Sequence, residues 1–338
     1  MLNRMIAVTG STGFVGSHLL VSLLKKDLPV LAFKRETSDI AYTQKVFELQ
    51  GCAHLFNKIK WVNCHLSNYS DVVEAFNDVD IVFHAAAQVE LNGKSSKQMI
   101  KKNIKITENV VNASLLQHVK RFCYVSSIAT ITNNINGLGK ENSPFEILTT
   151  DHPYTVSKCL AELEVWRGIE EGLPAVILNP SVILGYSRKW HIFTSLVKQL
   201  QKGQFYYPMG SSSFVDIDDV VHLMMHMTLN TSITNQRFIL TSENVTYEEF
   251  YKITCDVLGI SGNFKPIRAK KLMMLGYIGD ILSFFTKDEA LLSLHTAKTL
   301  NKELKYSNEK IVDTMQYTFL PLKYSIEKML NYHKAIQH

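Results

Sequence analysis

Glycine recurs at every third position, Gly10, Gly13 and Gly16, within Thr9-Gly10-Ser11-Thr12-Gly13-Phe14-Val15-Gly16. A short apolar run over residues 5–9 precedes this stretch. Residues 14–26 follow it, with Val15, Leu19, Leu20, Leu23 and Leu24 at helical spacing. The order is strand, glycine turn, helix, and few folds accept it. Gly10 permits a tight turn, Gly13 lets backbone approach a pyrophosphate, and Gly16 lets the helix pack close to the sheet. Thr12, Phe14 and Val15 lie where free amides and the positive end of the helix face phosphates. The turn is read as a dinucleotide site.

The remainder of the chain repeats that rhythm. Strand-like runs at 30–33, 59–62, 81–84, 121–126 and 175–178 alternate with helical patterns at 42–55, 70–76, 98–116 and 155–171. Such alternation predicts a parallel sheet with helices on both faces and right-handed crossovers, a Rossmann-type doubly wound α/β fold. Residues 192–202 look helical. A segment at 214–219 leads into an apolar helix, and 237–240 reads as a last strand. Beyond residue 246 helical patterns dominate, which predicts a smaller, mostly helical C-terminal substrate lobe. The chain of 338 residues thus divides into a dinucleotide-binding domain, 1–186 with a return segment at about 214–242, and a substrate lobe of 187–213 and 243–338.

Composition removes several classes of function. Basic residues number 36 and acidic residues 31, with no basic run, so a nucleic-acid partner is not expected. Cys52, Cys64, Cys123, Cys159 and Cys255 are scattered and without CxxC spacing. They predict neither a disulfide framework nor a metal site, and they favour a reducing, cytoplasmic setting. The N-terminal run is too short for a signal peptide. The most apolar window, 272–285, has about 14 residues against the roughly 20 that span a bilayer, and Asp280 interrupts it. It is expected to form a buried or cleft-lining helix. The alternative is an interfacial helix on a membrane surface, following Lys270 and Lys271.

The second strand ends in Phe33-Lys34-Arg35. An acidic side chain there would bind ribose hydroxyls and repel a 2′-phosphate, whereas two cations attract one. NADP(H) is favoured, and NAD(H) stays the alternative because Glu36 follows. Tyr154 and Lys158 stand four apart at the start of a helical pattern and project from one face. An ammonium near a phenol lowers the phenol's pKa, so Tyr154 is expected to exchange a proton with a substrate oxygen. Lys158 can also bond the nicotinamide ribose. Ser126-Ser127 ends the fifth strand, at the sheet edge where such folds bind ligands. A hydroxyl there can polarise a substrate carbonyl.

In order along the chain stand the glycine turn, His84-Ala85-Ala86-Ala87, Asn103, Tyr124-Val125-Ser126-Ser127-Ile128-Ala129, Tyr154-Thr155-Val156-Ser157-Lys158 and Asn179-Pro180-Ser181-Val182-Ile183-Leu184-Gly185. Phe214–Val220 and Tyr306–Lys310 complete the set. With these blocks the chain resembles the extended short-chain dehydrogenase/reductases, also called the NAD-dependent epimerase/dehydratase family, over nearly its whole length. The resemblance implies a triad of Ser127, Tyr154 and Lys158. It implies that Ala85, Ala86 and Ala87 let the adenosine half pass close to the sheet, and that Pro180, Ser181 and Val182 lie beside the nicotinamide. Asn103 is implied as a structural bridge, with a water-mediated proton relay as its alternative.

Two positions depart from the family pattern. His65-Leu66 replaces the usual Asp-hydrophobic pair that contacts adenine, and Tyr186 follows Gly185 where Pro is common. Within the family the likeness leans to dihydroflavonol 4-reductase-like enzymes. That implies an NADP(H)-dependent oxidoreductase acting on the carbonyl or alcohol of a small apolar substrate. Two alternatives are kept. One is a nucleotide-sugar epimerase/dehydratase with tightly bound NAD, for which Arg188, Lys189 and Arg268 could hold a diphosphate. The other is a non-catalytic dinucleotide sensor. Trp190 and His191 are candidates for the substrate pocket. Related enzymes often form homodimers through the helices at 98–116 and 155–171.

Overall fold

A parallel sheet needs a crossover between each pair of neighbouring strands, and this chain supplies one each time. The computed structural model describes residues 4–88, 96–132, 137–147, 152–261, 263–286 and 292–337. Seven strands form one sheet: β1 (Ile6–Thr9), β2 (Val30–Lys34), β3 (Lys60–Asn63), β4 (Ile81–His84), β5 (Arg121–Val125), β6 (Ala175–Pro180) and β7 (Gln236–Leu240). Their order is β7-β6-β5-β4-β1-β2-β3, with every pairing parallel. The fold is the expected doubly wound Rossmann type.

Burial explains which runs became strands. β1, β4 and β6 are buried at every position, as a sheet covered on both faces requires. Side chains alternate between two cores. Ile6 and Val8 join the cluster around Leu19, Leu23 and Met224 on one face. Ala7 joins Val82, Val110 and Val165 on the other. β3 is an edge strand, and its Lys60 and Asn63 are exposed.

The helices on this sheet are α1 (Phe14–Lys25), α2 (Ala41–Leu49), α3 (Tyr69–Ala75), α4 (Ser96–Leu116), α5 (Pro153–Glu170) and the apolar helix Ile217–Leu229. The pattern at 42–55 predicted one helix, but α2 stops at Leu49. Gly51 takes a left-handed φ of +67°, and a 3-10 turn (Ala53–Lys58) follows. α5 starts earlier than expected. Pro153 fits the first helical position, and the His152 ring accepts a hydrogen bond from the Tyr154 amide at 3.2 Å. Tyr154 therefore sits in the first turn.

Three small sheets lie beyond the seven-stranded one. Ser211–Asp216 runs parallel to Val182–Leu184 and antiparallel to Glu243–Thr246. Gln204–Pro208 pairs with Asn263–Ile267, and Leu138–Gly139 with Lys305–Tyr306. The helical reading beyond residue 246 holds for Tyr247–Leu258, Ala269–Thr286, Leu294–Leu300, Glu309–Met315 and Leu322–Gln337. It missed Asn263–Ile267, where Pro266 removes a ladder donor and a distant segment supplies the pairing. The expectation of a buried helix at 272–285 is also corrected. Leu272 and Gly276 are buried, but Met274, Leu275, Tyr277 and Ile278 are exposed. Asp280 and the side chains after it to 291 lie outside the described side chains. No described helix is long and apolar enough to cross a membrane. All five cysteines are buried free thiols.

Candidate active site

The crevice opens at the C-terminal ends of β1 and β4, where the strand order reverses. Gly10 has a left-handed φ of +69°, and a Cβ there would come within 2.7 Å of the Ala85 carbonyl and the Ala86 nitrogen. Gly13 donates its amide to the Gly10 carbonyl at 2.9 Å and caps α1, with no side chain bonded to the helix start. The first-turn amides are left to a ligand, as anion sites at helix N-termini require. Gly16 serves differently from the expectation. Its Cβ would lie 2.1 Å from the Gly10 carbonyl oxygen, so the close approach is between helix and turn.

Two cavities meet across this turn. One, of about 330 Å³, is lined by Gly10, Thr12, Gly13, Lys34, Arg35, His65, Leu66, Ala85, Ala86 and Ala87. The other, of about 360 Å³, is lined by Gly13, Phe14, Val15, Ala85, Ala87, Ser126, Ser127, Tyr154, Lys158, Pro180, Ser181 and Ile183. The shared residues Gly13, Ala85 and Ala87 make the pair one continuous trough. Its shape, its glycine cradle and one orphaned polar atom fit a nicotinamide dinucleotide. That atom is the buried Ser181 hydroxyl, which lines the second cavity without a hydrogen-bond partner. A larger cavity of about 610 Å³ lies at the β7 edge, around Arg237 and Lys310. Arg237 there is occupied by the Glu141 and Ser143 carbonyls and by Glu162.

The two strand-end serines are separated by their partners. Ser126 donates to the Glu162 carboxylate at 2.5 Å, inside the protein. The Ser127 oxygen accepts the Ala129 amide at 3.1 Å, which orients the side chain, and Ser127 lines the same cavity as Tyr154. Burial pushes the Tyr154 phenol above its ordinary pKa, and nearby Ser127 opposes that rise. Burial, rather than the expected acidification by Lys158, thus sets the protonated phenol. The Lys158 ammonium donates to the Tyr124 hydroxyl at 3.1 Å and the Val125 carbonyl at 2.7 Å. Burial lowers Lys158 to about 8, and the Glu162 carboxylate opposes the fall.

Buried polar groups stand behind Lys158, and no sequence pattern announced them. An ammonium only donates, so Tyr124 accepts from Lys158. Beyond Tyr124, the Thr107 hydroxyl lies 3.2 Å from His84 Nε2, and His84 Nδ1 lies 2.6 Å from the Thr9 hydroxyl. Burial holds the His84 imidazole neutral, down at about 3, with the Lys158 charge adding to the effect. Glu162, fully buried, accepts from Ser126, Thr130, Asn179 and Arg237 and so braces the serine loop.

Some candidate residues lie elsewhere. Asn103 lines neither cavity. Its side chain exchanges two hydrogen bonds with the Gln88 backbone, at 2.8 and 2.9 Å, and donates to Ser157. Both amide hydrogens are thereby used, so Asn103 is a bridge between the β4 loop and α5 and has none left for a water relay. Val182 lines neither cavity and is exposed, and its neighbour Ile183 lines the second. Arg188 is turned to the glycine turn, donating to the Thr12 carbonyl at 3.1 Å and the Asp39 carbonyl at 2.8 Å. Trp190 packs between Tyr186 and Phe193, and His191 is exposed. Lys102, a cation of α4 at the first cavity, was missed. No local sequence pattern marked it.

Comparison with known proteins agrees with this geometry. The model of the NAD-dependent epimerase/dehydratase family matches residues 6–239. Sterol demethylase protein B of Methylococcus capsulatus is 25% identical over 305 residues, covering 87% of each chain. Dihydroflavonol 4-reductase of Arabidopsis thaliana is 26% identical over 302 residues, covering 80% of this chain and 77% of its own. The crystal structure of UDP-glucose 4-epimerase from Thermotoga maritima superposes with a TM-score of 0.75 at 16% identity, covering 99% of this chain and 100% of its own. That likeness concerns the fold. Trough, glycine turn and family match together establish that the chain belongs to the NAD-dependent epimerase/dehydratase family, as an NAD(P)-dependent oxidoreductase of the extended short-chain dehydrogenase/reductase type.

Proposed function

We propose that the protein transfers a hydride between NADP(H) and the carbonyl or alcohol of a small apolar substrate. The observation that carries this reading is that Ser127, Tyr154 and Lys158 line one cavity continuous with a basic one. The dinucleotide unit is taken as 1–186 with 214–242, and the substrate side as 187–213 with 243–338. A bound nicotinamide supplies or accepts the hydride. Ser127 donates to the substrate oxygen and holds it near the phenol. Tyr154 gives that oxygen its proton. Lys158 keeps positive charge one helical turn away, which stabilises the tyrosinate left behind. Ser181 accepts from the nicotinamide amide, and the α1 amides hold the pyrophosphate.

NADP(H) is favoured because Lys34, Arg35 and Lys102 line the adenosine-side cavity and, among the described residues, no carboxylate does. Glu36 is not among the lining residues, and the Asp39 carboxylate lies 3.7 Å from Arg188. Replacing both Lys34 and Arg35 by Ser is expected to weaken NADPH about a hundredfold while NADH changes little, since two charge-assisted bonds to phosphate are lost. Fluorescence titration with each dinucleotide checks it. Equal losses for both would remove the 2′-phosphate argument.

The alkaline limb of the rate profile gives a second prediction. Lys158 should lose its proton near pH 8, and activity should fall above that. Tyr124→Phe deletes an acceptor of the charged form, so the limb should move to lower pH by about one unit. An unmoved limb in Tyr124→Phe would mean that another group titrates.

The function itself is tested by adding NADPH or NADH to a panel of carbonyl compounds and following absorbance of the reduced cofactor. Consumption of NADPH with an apolar ketone or aldehyde is expected. Copurified NAD with no net consumption, or binding without turnover on any carbonyl, would overturn the proposal.

A further inference from the structure

We propose that the Ala269–Thr286 helix docks the protein on an anionic lipid bilayer, lying in the interface plane rather than across it. Met274, Leu275, Tyr277 and Ile278 are 56%, 39%, 59% and 43% exposed. Positions 274, 277 and 278 share one helical face, with Lys270 and Lys271 one turn earlier. The apolar surface continues past the helix. The Lys271 ammonium stands 5.6 Å from the centre of the Tyr206 ring, and Tyr206 and Met209 are 58% and 60% exposed. Tyr206 belongs to the strand paired with Asn263–Ile267, which leads into this helix.

The helix cannot turn that face inward, because its opposite side is taken. A Cβ on Gly276 would lie 2.7 Å from the Ser293 carbonyl oxygen, so the Leu294–Leu300 helix packs directly against it. Charge then selects the occupant. Residues 263–279 carry Lys265, Arg268, Lys270 and Lys271, all exposed, and no Asp or Glu before Asp280. Large apolar side chains preceded by four cations match an anionic headgroup layer over an acyl region.

The helix packed behind this face reaches the start of α5. His295 of the Leu294–Leu300 helix places its ring 4.1 Å, centre to centre, from that of His152, two residues before Tyr154. A docked protein would thus hold the Tyr154 end of α5 close to the lipid, where apolar substrates partition. This last step rests on the proposed substrate class, whereas docking does not.

Sedimentation of the full chain with vesicles tests it, using phosphatidylcholine alone and phosphatidylcholine mixed with phosphatidylserine. Binding to the mixed vesicles at low salt is expected, at least about tenfold tighter than to neutral ones. Lys270→Gln with Lys271→Gln should weaken it about 25-fold, about fivefold for each cation. Tyr277→Ser with Ile278→Ser should abolish it with the melting temperature kept. Failure of the wild-type protein to pellet with mixed vesicles would overturn the proposal, as would full binding by the Ser variant. A wild-type dimer that the Ser variant makes monomeric, without vesicle binding, would assign the face to a second copy and also overturn it. NADPH titration of the same samples separates the two readings. Lost lipid binding with intact NADPH binding strikes docking alone, and the converse strikes the proposed function alone.

Discussion

Tyr154→Phe is expected to lower kcat about a thousandfold, within the span that a positioned general acid supplies, and to leave dinucleotide binding near the wild-type value. Among the described residues, two titratable groups line the cavity, Tyr154 and Lys158. The Lys158 ammonium is committed behind the cavity, to Tyr124 and the Val125 carbonyl. Ser127 can orient an oxygen but is far too weak an acid to protonate it. The phenol is left to do so. Phe keeps the ring in the first turn of α5 and deletes only the hydroxyl, so folding should be unaffected. Steady-state rates with NADPH, beside a binding titration, make the comparison. A loss of only a few fold would mean that water or another group delivers the proton.

Gly10→Ala should lower NADPH affinity at least about a hundredfold and cost about 3 kcal/mol of stability. The stability cost has two parts. A left-handed backbone costs a non-glycine residue about 1–2 kcal/mol. The added methyl also meets backbone atoms of Ala85 and Ala86 at 2.7 Å, and backbone cannot rotate aside as a side chain does. The segment that must shift, Ala85 to Ala87, walls both cavities, which ties stability to binding. Gly51→Ala is the control. Gly51 has nearly the same φ, +67°, and a methyl added there would meet nothing within 4 Å, so only the backbone cost should appear and binding should persist. Urea melts and NADPH titrations of both variants decide. Equal behaviour of the two would show that the crowding at Ala85 is unimportant.

What the sequence disclosed followed from periodicity and local chemistry. β1, β4 and β6 are continuous apolar runs because both sheet faces are covered, and a short helix-period pattern follows each glycine turn or loop. The proposed catalytic residues were legible because Tyr154 and Lys158 share a helix and Ser127 follows a strand. Their partners were not. Lys158 meets Tyr124 only because β5 lies beside α5, and His84 reaches Thr107 across the β4–α4 packing. Arg188 bonds the glycine turn from 176 positions away, a contact no local pattern encodes. The apolar window at 272–285 showed its composition but not its exposed face, since Gly276 fixes the helix against the Leu294–Leu300 helix through a tertiary contact.

The most direct measurement is a crystal structure of the protein grown with NADP⁺. The account predicts the adenosine 2′-phosphate against Lys34 and Arg35, the pyrophosphate over the Gly10–Gly13 turn, and the nicotinamide amide bonded to Ser181 with its ring facing the Tyr154 hydroxyl. A trough without dinucleotide at saturating NADP⁺, or a nicotinamide ring turned away from Tyr154, would contradict it.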